Sequence, residues 1–168
     1  MPQETDLAPL AAIAPQLVLV FGAVERMTEN GLVESLKSAF PAAELAGCTT
    51  AGEIGAGGVS DGALVVVALR FSGSRVQLAA TDLADMEDSR AAGQRLGLAL
   101  AAPGLRHVLV LGQGVQINGS ALIEGISEPL GTGVLLSGGL AGDGGAFERT
   151  WTLSNQGLSQ RQIVAIGF

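Results

Sequence analysis

The chain has 168 residues, of which 48% are hydrophobic, and a net charge of −7 at pH 7. This acidic balance, without a run of lysines or arginines, argues against nucleic acid or an anionic membrane surface as a partner. The longest apolar stretches, LVLVFGAV and ALVVVAL, are too short to span a bilayer, and the acidic start MPQETDL does not fit a secretory signal. A single cysteine excludes an internal disulfide and is typical of a reducing compartment, so a cytoplasmic location is expected.

The apolar pattern predicts a single domain, residues 1–168, in which short buried strands and helices follow one another. In chain order the predicted elements are strand 17–23, helix 28–40, strand 44–50, strand 62–71, strand 75–81, helix 88–102, strand 106–112, helix 119–129, strand 133–138, strand 148–154 and strand 162–168. Thr28, Asp88 and Asn118 are predicted to cap the starts of the three helices. Because some strands follow each other directly, we expect antiparallel hairpins and an α/β fold of mixed parallel and antiparallel sheets with flanking helices.

The two halves of the chain resemble each other. LVLVFG, which starts at residue 17, and HVLVLG, which starts at residue 107, are 90 residues apart, and the pairs GLVESL/ALIEGI and AGE/AGD keep this offset. We therefore predict two pseudo-symmetric strand–helix–strand repeats, at about 17–81 and 106–168.

Two glycine-rich segments, AGCTTAGEIGAGG at 46–58 and SGGLAGDGGAFERT at 137–150, take the same place in the two repeats. Each follows a predicted buried strand, and each bend contains one acid, Glu53 or Asp143. The glycines fit two interpretations: the two bends pack closely near a pseudo-twofold axis, or they line a pocket for a small molecule. The acids correspondingly either bond backbone N–H groups of the opposite bend or receive the ammonium group of a ligand.

Four motifs, GCTTAGEI, VLGQGVQINGSALIEGI, SGGLAGDGGAFERTWTL and IVAIGF, together resemble the N-terminal portion of the FIST sensory domain family over about residues 17–168. The resemblance implies a bacterial, intracellular signal-transduction input domain that binds amino acids or similar small polar metabolites without catalysis. Some relatives resemble haem-binding nitric oxide sensors. The resemblance also implies a C-terminal partner domain or an output domain, which is expected to lie outside this chain.

The chain departs from the family pattern at two motif positions. Thr49 stands where the family usually has serine, and Gln113–Gly114 stands where it commonly has Asp-Gly. The second change replaces an acid by a neutral amide. With the resemblance, the candidate ligand-binding residues are Cys48, Thr49, Thr50, Gly52, Glu53, Gln113, Asn118, Ser120, Gly139, Asp143 and Arg149.

These candidates supply groups that could hold a small zwitterion or anion. The hydroxyls of Thr49 and Thr50 could bond a ligand carboxylate or each other. Asn118 and Ser120 are expected to cap a helix, where an anion could also bind. Arg149 could bind a carboxylate with two hydrogen bonds, or lie in solvent.

Other functions have weaker support in the residues. A catalytic Cys48 would need a base, and the only histidine, His107, is predicted at the far end of a strand, so Cys48 is expected to be a small buried residue. We expect no catalytic residue, no metal site and no cofactor, with haem on His107 as the alternative. A protein-interaction or dimerisation module, forming a homodimer, is the second functional hypothesis.

Overall fold

The protein's computed structural model describes residues 4–55 and 57–168. In chain order the described elements are α1 (Glu4–Ala11), β1 (Leu17–Gly22), α2 (Val24–Met27), α3 (Leu32–Ala39), β2 (Glu44–Thr49), β3 (Glu53–Gly55), β4 (Gly58–Ser60), β5 (Leu64–Leu69), β6 (Gln77–Asp82), α4 (Ser89–Leu100), β7 (His107–Gly112), α5 (Gly119–Leu130), β8 (Leu135–Leu140), β9 (Thr152–Ser154), β10 (Gly157–Ser159) and β11 (Gln162–Gly167). In this described part of the chain, no helix is both long and apolar enough to cross a lipid bilayer.

The strands form two main sheets and one separate hairpin. The first sheet has the order β10-β9-β2-β1-β5, the second has the order β6-β11-β7-β8, and β3 and β4 pair only with each other. The pairs β1–β2 and β7–β8 are parallel, and the other neighbouring strands are antiparallel. The predicted mixed α/β fold is therefore confirmed.

Alternating side chains on the strands divide the core into three layers. On β1, Val18 and Val20 pack with α1, α2 and α3, whereas Leu17 points the other way, between the two sheets. On β11, Val164 and Ile166 join that same layer between the sheets. Since both faces of these strands are covered, their sequences are continuous apolar runs, and each buried aliphatic side chain contributes roughly 1.5–3 kcal/mol. The result is a sandwich of helices, sheet, sheet and helices.

Each sheet contains the same three-strand arrangement. β2-β1-β5 in the first sheet and β8-β7-β11 in the second have one parallel and one antiparallel pair in the same order. The halves also exchange strands, because β6 joins the second sheet and β9 joins the first. The twofold repeat itself stays a prediction.

One of the three predicted helix caps is confirmed in full. Asn118 accepts a hydrogen bond from the backbone N–H of Ala121 at 3.1 Å at the start of α5. Thr28 caps no helix start, because it ends α2 and its hydroxyl donates to the carbonyl of Val24. Asp88 stands at the start of α4, but its carboxylate accepts from a preceding backbone N–H and from an arginine on that helix instead of capping it.

Glycines allow α4 and α5 to pack backbone against backbone over the second sheet. A Cβ atom added at Gly93 would lie 2.3 Å from the carbonyl oxygen of Leu122, and one at Gly125 would lie 2.1 Å from that of Arg90. Both distances are far below van der Waals contact. The two helices can therefore come this close only because glycine has a hydrogen atom in place of a Cβ at both positions.

We expect Gly125→Ala to lower the free energy of unfolding by about 1–3 kcal/mol, because the new methyl group forces the two helices apart. Urea unfolding followed by circular dichroism measures the change. Gly133→Ala is the matched control, since its Cβ would meet no atom within 4 Å. Equal stability of both variants would contradict this account of the helix contact.

Candidate functional site

A polar cleft of about 300 Å³ lies at one end of the second sheet. β6 and β7 both run antiparallel to β11, so the segments that follow β6 and β7 meet the turn that precedes β11. The cleft lies between residues 83–85 after β6, 113–116 after β7, the segment 148–150 and the turn 160–161. Segments distant in sequence thus form one site.

Gln113 is a nearly buried polar side chain of the cleft. It is only 8% exposed and lines the cleft, and its amide makes no hydrogen bond within the part of the chain that the structure describes. Beside it, the buried Thr150 hydroxyl accepts a hydrogen bond from the N–H of Gly114 at 2.8 Å. Because buried polar groups normally have partners, the amide of Gln113 is available to a ligand.

Charged side chains of both signs surround this amide. Arg149 lines the cleft without an ion pair among the described residues, and Arg161 donates to the carbonyl oxygens of residues 83 and 84 at 3.4 Å. Asp85 and Glu148 lie on the same walls. The cleft can therefore offer guanidinium groups to a carboxylate and carboxylates to an amine.

Asp143 shapes the loop that carries Arg149. Its carboxylate accepts backbone hydrogen bonds from Phe147, Glu148 and Arg149 at 2.7–3.0 Å. These bonds, led by those from Glu148 and Arg149, hold the pKa of Asp143 below its usual range. They also make a compact loop of residues 143–149, so the strand predicted over 148–154 begins only at Thr152.

Glu53 plays a similar part in the other bend. This carboxylate is 3% exposed and accepts from the hydroxyl of Thr50 at 2.6 Å and from the N–H of Ala63 at 2.8 Å. The expectation that the acids bond the opposite bend is therefore wrong. Each acid instead accepts backbone N–H groups that follow it in the chain: Asp143 from residues 147–149 and Glu53 from Ala63.

The two glycine-rich bends nevertheless meet, as the close-packing interpretation predicts. The N–H of Gly142 donates to the carbonyl of Thr49 at 2.8 Å, and a Cβ at Gly142 would lie 3.0 Å from the nitrogen of Ala51. The buried hydroxyl of Thr49 accepts from the N–H of Trp151 at 3.0 Å. Thr49 is thus a structural link between the two sheets.

Only two of the predicted ligand-binding residues, Gln113 and Arg149, line the cleft. The remaining candidates are dispersed: Cys48 and Thr49 are buried, Thr50 and Glu53 bond each other, Asn118 caps α5, Ser120 is exposed on α5, Gly52 lies beside Asp61, Gly139 lies on β8 and Asp143 holds its own loop. A ligand-binding role for these residues stays a prediction.

Sequence reasoning missed Asp85 and Arg161 as cleft residues. Both lie next to strand ends, after β6 and before β11. The pairing of β6 with β11 brings them together, and the apolar pattern of single strands does not encode that pairing.

His107 lies at the start of β7, at the opposite end of this strand from Gln113. Its Nε2 atom is 2.7 Å from the hydroxyl of Ser137, and its ring stacks on that of Phe168 at a centroid distance of 5.6 Å. Haem ligation by this imidazole stays a prediction. The described residues contain no cluster of three or more side chains placed to hold a metal ion.

Cys48 lies on β2 in the layer between the sheets and is 5% exposed. Burial raises the pKa of its thiol to about 11. A nucleophilic cysteine needs the opposite, a lowered pKa and an accessible sulfur. The expectation of a small buried residue fits this position.

We expect the backbone amide signals of Phe147, Glu148 and Arg149 to shift together in an NMR acid titration, with a midpoint below the ordinary aspartate value of about 3.9. The backbone hydrogen bonds to Asp143 favour its charged form. Their contribution to stability is therefore complete above the ordinary aspartate pKa and is lost as the pH falls through the lowered pKa. Asp143→Asn should abolish the common transition. Three unrelated midpoints would contradict a shared acceptor.

For Cys48, alkylation by iodoacetamide at pH 8 should be at least about a hundredfold slower in the native protein than in the urea-unfolded chain, because the raised pKa leaves little thiolate and the sulfur is buried. Mass spectrometry of quenched samples gives both rates. Native and unfolded rates within about tenfold of each other would show an accessible thiol.

A family model described as the FIST N domain matches residues 16–168. A comparison with curated proteins found no significant match. The matched residues include both main sheets, the two glycine-rich bends and every segment that lines the cleft. The resemblance identified from the four sequence motifs is confirmed, and the chain belongs to the FIST N domain family, a family of sensory domains.

Proposed function

We propose that this domain senses an amino acid or a similar small polar metabolite, which it binds in the cleft around Gln113 without transforming it. The observation that carries the proposal is the amide of Gln113, nine-tenths buried and without a partner among the described residues, in a cleft that also presents two guanidinium groups. Ligand pockets typically contain a few such polar groups that fix the orientation of a small molecule.

The composition of the cleft favours a zwitterion over a simple anion. Arg149 and Arg161 would receive a carboxylate, and Asp85 or Glu148 would receive an ammonium group. The amide of Gln113 both donates and accepts, so it can bond either end of such a ligand. The volume of about 300 Å³ is at the small end of the range for ligand pockets and suits a single metabolite.

The loop of residues 143–149 provides a route from the cleft to the rest of the molecule. Arg149, the last residue of this loop, lines the cleft. Gly142, the residue just before the loop, donates a backbone hydrogen bond to the carbonyl of Thr49 in the first sheet. A ligand that engages Arg149 would favour one arrangement of the loop, and an output or partner domain would respond to that arrangement. The 81% exposed side chain of Phe147 gives the loop an apolar surface that such a domain could contact.

Several contacts support binding without catalysis. The thiol of Cys48 is buried in the layer between the sheets, away from the cleft segments. His107 lies at the far end of β7 and is held by Ser137 and Phe168. Among the residues that the structure describes, neither this cysteine nor this histidine lines the cleft, which favours binding over thiol- or imidazole-based covalent catalysis.

We expect Arg149→Ala to weaken binding of the best ligand from a panel of L-amino acids by about ten- to a hundredfold, because a charge-assisted hydrogen bond is lost. Isothermal titration calorimetry measures the affinity, and thermal unfolding checks that stability is unchanged. Gln113→Leu should weaken the same ligand, since it removes both hydrogen-bonding atoms of the amide.

Arg75→Ala is the matched control, because Arg75 is also exposed but lies outside this cleft. If a ligand binds the wild type and all three variants equally, its binding site lies outside this cleft. If no amino acid of the panel binds, the result would count against an amino acid as the ligand.

A further inference from the structure

β8 is an unprotected edge of the second sheet. The N–H of Leu135 donates to the carbonyl of Arg106, just before β7, and the N–H of Ala141 donates to Gly112 at the end of β7. The residues between them at alternate positions, 136, 138 and 140, therefore direct their N–H and C=O groups away from β7. The strand, LLSGGL, has no charge and no proline, and Leu135 and Leu140 are 73% and 49% exposed. Natural edge strands usually carry charges or prolines against pairing, so an edge of this kind is typical of a strand that receives a partner.

An apolar groove of about 360 Å³ runs beside this edge, between β8 and α5. Its walls are Leu122 and Ile123 of α5 and Leu136 and Leu140 of β8, with Val110 of β7 below them. A strand added to β8 would place every second side chain in this groove.

The same chain carries an exposed hairpin with a matching apolar pair. β3 and β4 form a separate two-stranded sheet in which Ile54 lies opposite Val59. These two side chains are 80% and 81% exposed. The outer face of the hairpin has no charged side chain, because Glu53, its only acid, is buried.

The second hairpin of the chain shows where such a pair can be buried. β9 and β10 have the same length as β3 and β4, and Leu153 lies opposite Leu158 as Ile54 lies opposite Val59. β9 pairs with β2, and there Leu153 is fully buried in the core under α1, α2 and α3. β2 stands beside β1 as β8 stands beside β7, with the same parallel pairing. The corresponding place for β3–β4 is therefore the bare edge of β8 and its groove.

We propose that the β8 edge is the binding site for the β3–β4 hairpin of a second copy of this chain, with Ile54 and Val59 in the groove against α5. The chain's own hairpin is held elsewhere. Its Glu53 bonds Thr50 and the N–H of Ala63, and Gly55 lies against Val65 of β5.

The hairpin and the β8 edge lie at the same end of the molecule. Ala51, just before the hairpin, contacts Gly142, just after β8. A twofold axis at this end therefore allows each copy to donate its hairpin to the other, which gives a closed, isologous dimer. Both contacting surfaces are uncharged, so the net charge of −7 does not oppose the contact locally.

The test is sedimentation equilibrium of the full chain and of three lysine variants. The wild type should show a concentration-dependent equilibrium between the 16.9 kDa monomer and a dimer. Ile54→Lys on the hairpin and Leu140→Lys on the edge should each weaken dimerisation by at least about tenfold, because each places a charge in an apolar contact. Leu98→Lys is the matched control: Leu98 is a 67% exposed leucine on α4, and its variant should dimerise like the wild type.

A mixture of the Ile54→Lys and Leu140→Lys chains provides the decisive readout. In the mixed dimer one of the two contacts joins an intact hairpin to an intact edge, whereas both contacts in either variant's own dimer carry a lysine, so the mixture should form heterodimers more tightly than either variant dimerises with itself. If Leu140→Lys loses structure by circular dichroism, Ile123→Lys on the opposite groove wall replaces it.

A wild type that stays monomeric up to about 1 mM would overturn the proposal. So would an Ile54→Lys variant that dimerises normally while Leu140→Lys does not, because the edge would then pair with a strand other than the hairpin.

Discussion

The backbone hydrogen bond from Gly142 to Thr49 joins the two sheets at the end of the molecule where the functional surfaces lie. It requires two chain segments to come within van der Waals contact, and glycine permits this because a Cβ at position 142 would crowd Ala51. The loop of residues 143–149 starts from this contact and carries Arg149 to the cleft. This contact is therefore one of the links between the sheets that set the orientation of the cleft.

Small side chains near this contact keep the sheets close together. Ala46, Cys48 and Ala141 are all buried in the layer between the sheets, beside larger side chains of the same layer such as Leu17 and Val164. A larger residue at any of these three positions would separate the sheets where Gly142 must reach Thr49. Cys48 thus contributes to this contact by its small size.

The sequence allowed much of the fold to be predicted, because the buried strands are continuous apolar runs. β1, β2, β7 and β11 lie within a residue or two of the predicted strands. α1 was missed since its sequence, ETDLAPLA, contains acids and Pro9 and has little helical apolar pattern. The start of β9 was misplaced because three hydrogen bonds to Asp143 hold the preceding residues in a loop.

The candidate site was harder to predict than the fold. Gln113 and Arg149 were identified from motifs, one after a strand and one in a glycine-rich segment, but nothing in their spacing placed them in one cleft. Their proximity follows from the strand order β6-β11-β7-β8, which is a property of the whole chain. Arg161 and Asp85 enter the cleft for the same reason.

The exchange of strands between the two halves has a consequence for the order of events during synthesis. β6 pairs with β11, more than seventy residues later, and β2 pairs with β9, about a hundred residues later. A nascent chain that has emerged only as far as α4 therefore has β6 without its partner and β2 with one open edge. Neither half can bury its strands by itself, so stable folding waits until β11 has left the ribosome, and until then the apolar strand edges are exposed to chaperones and to other nascent chains.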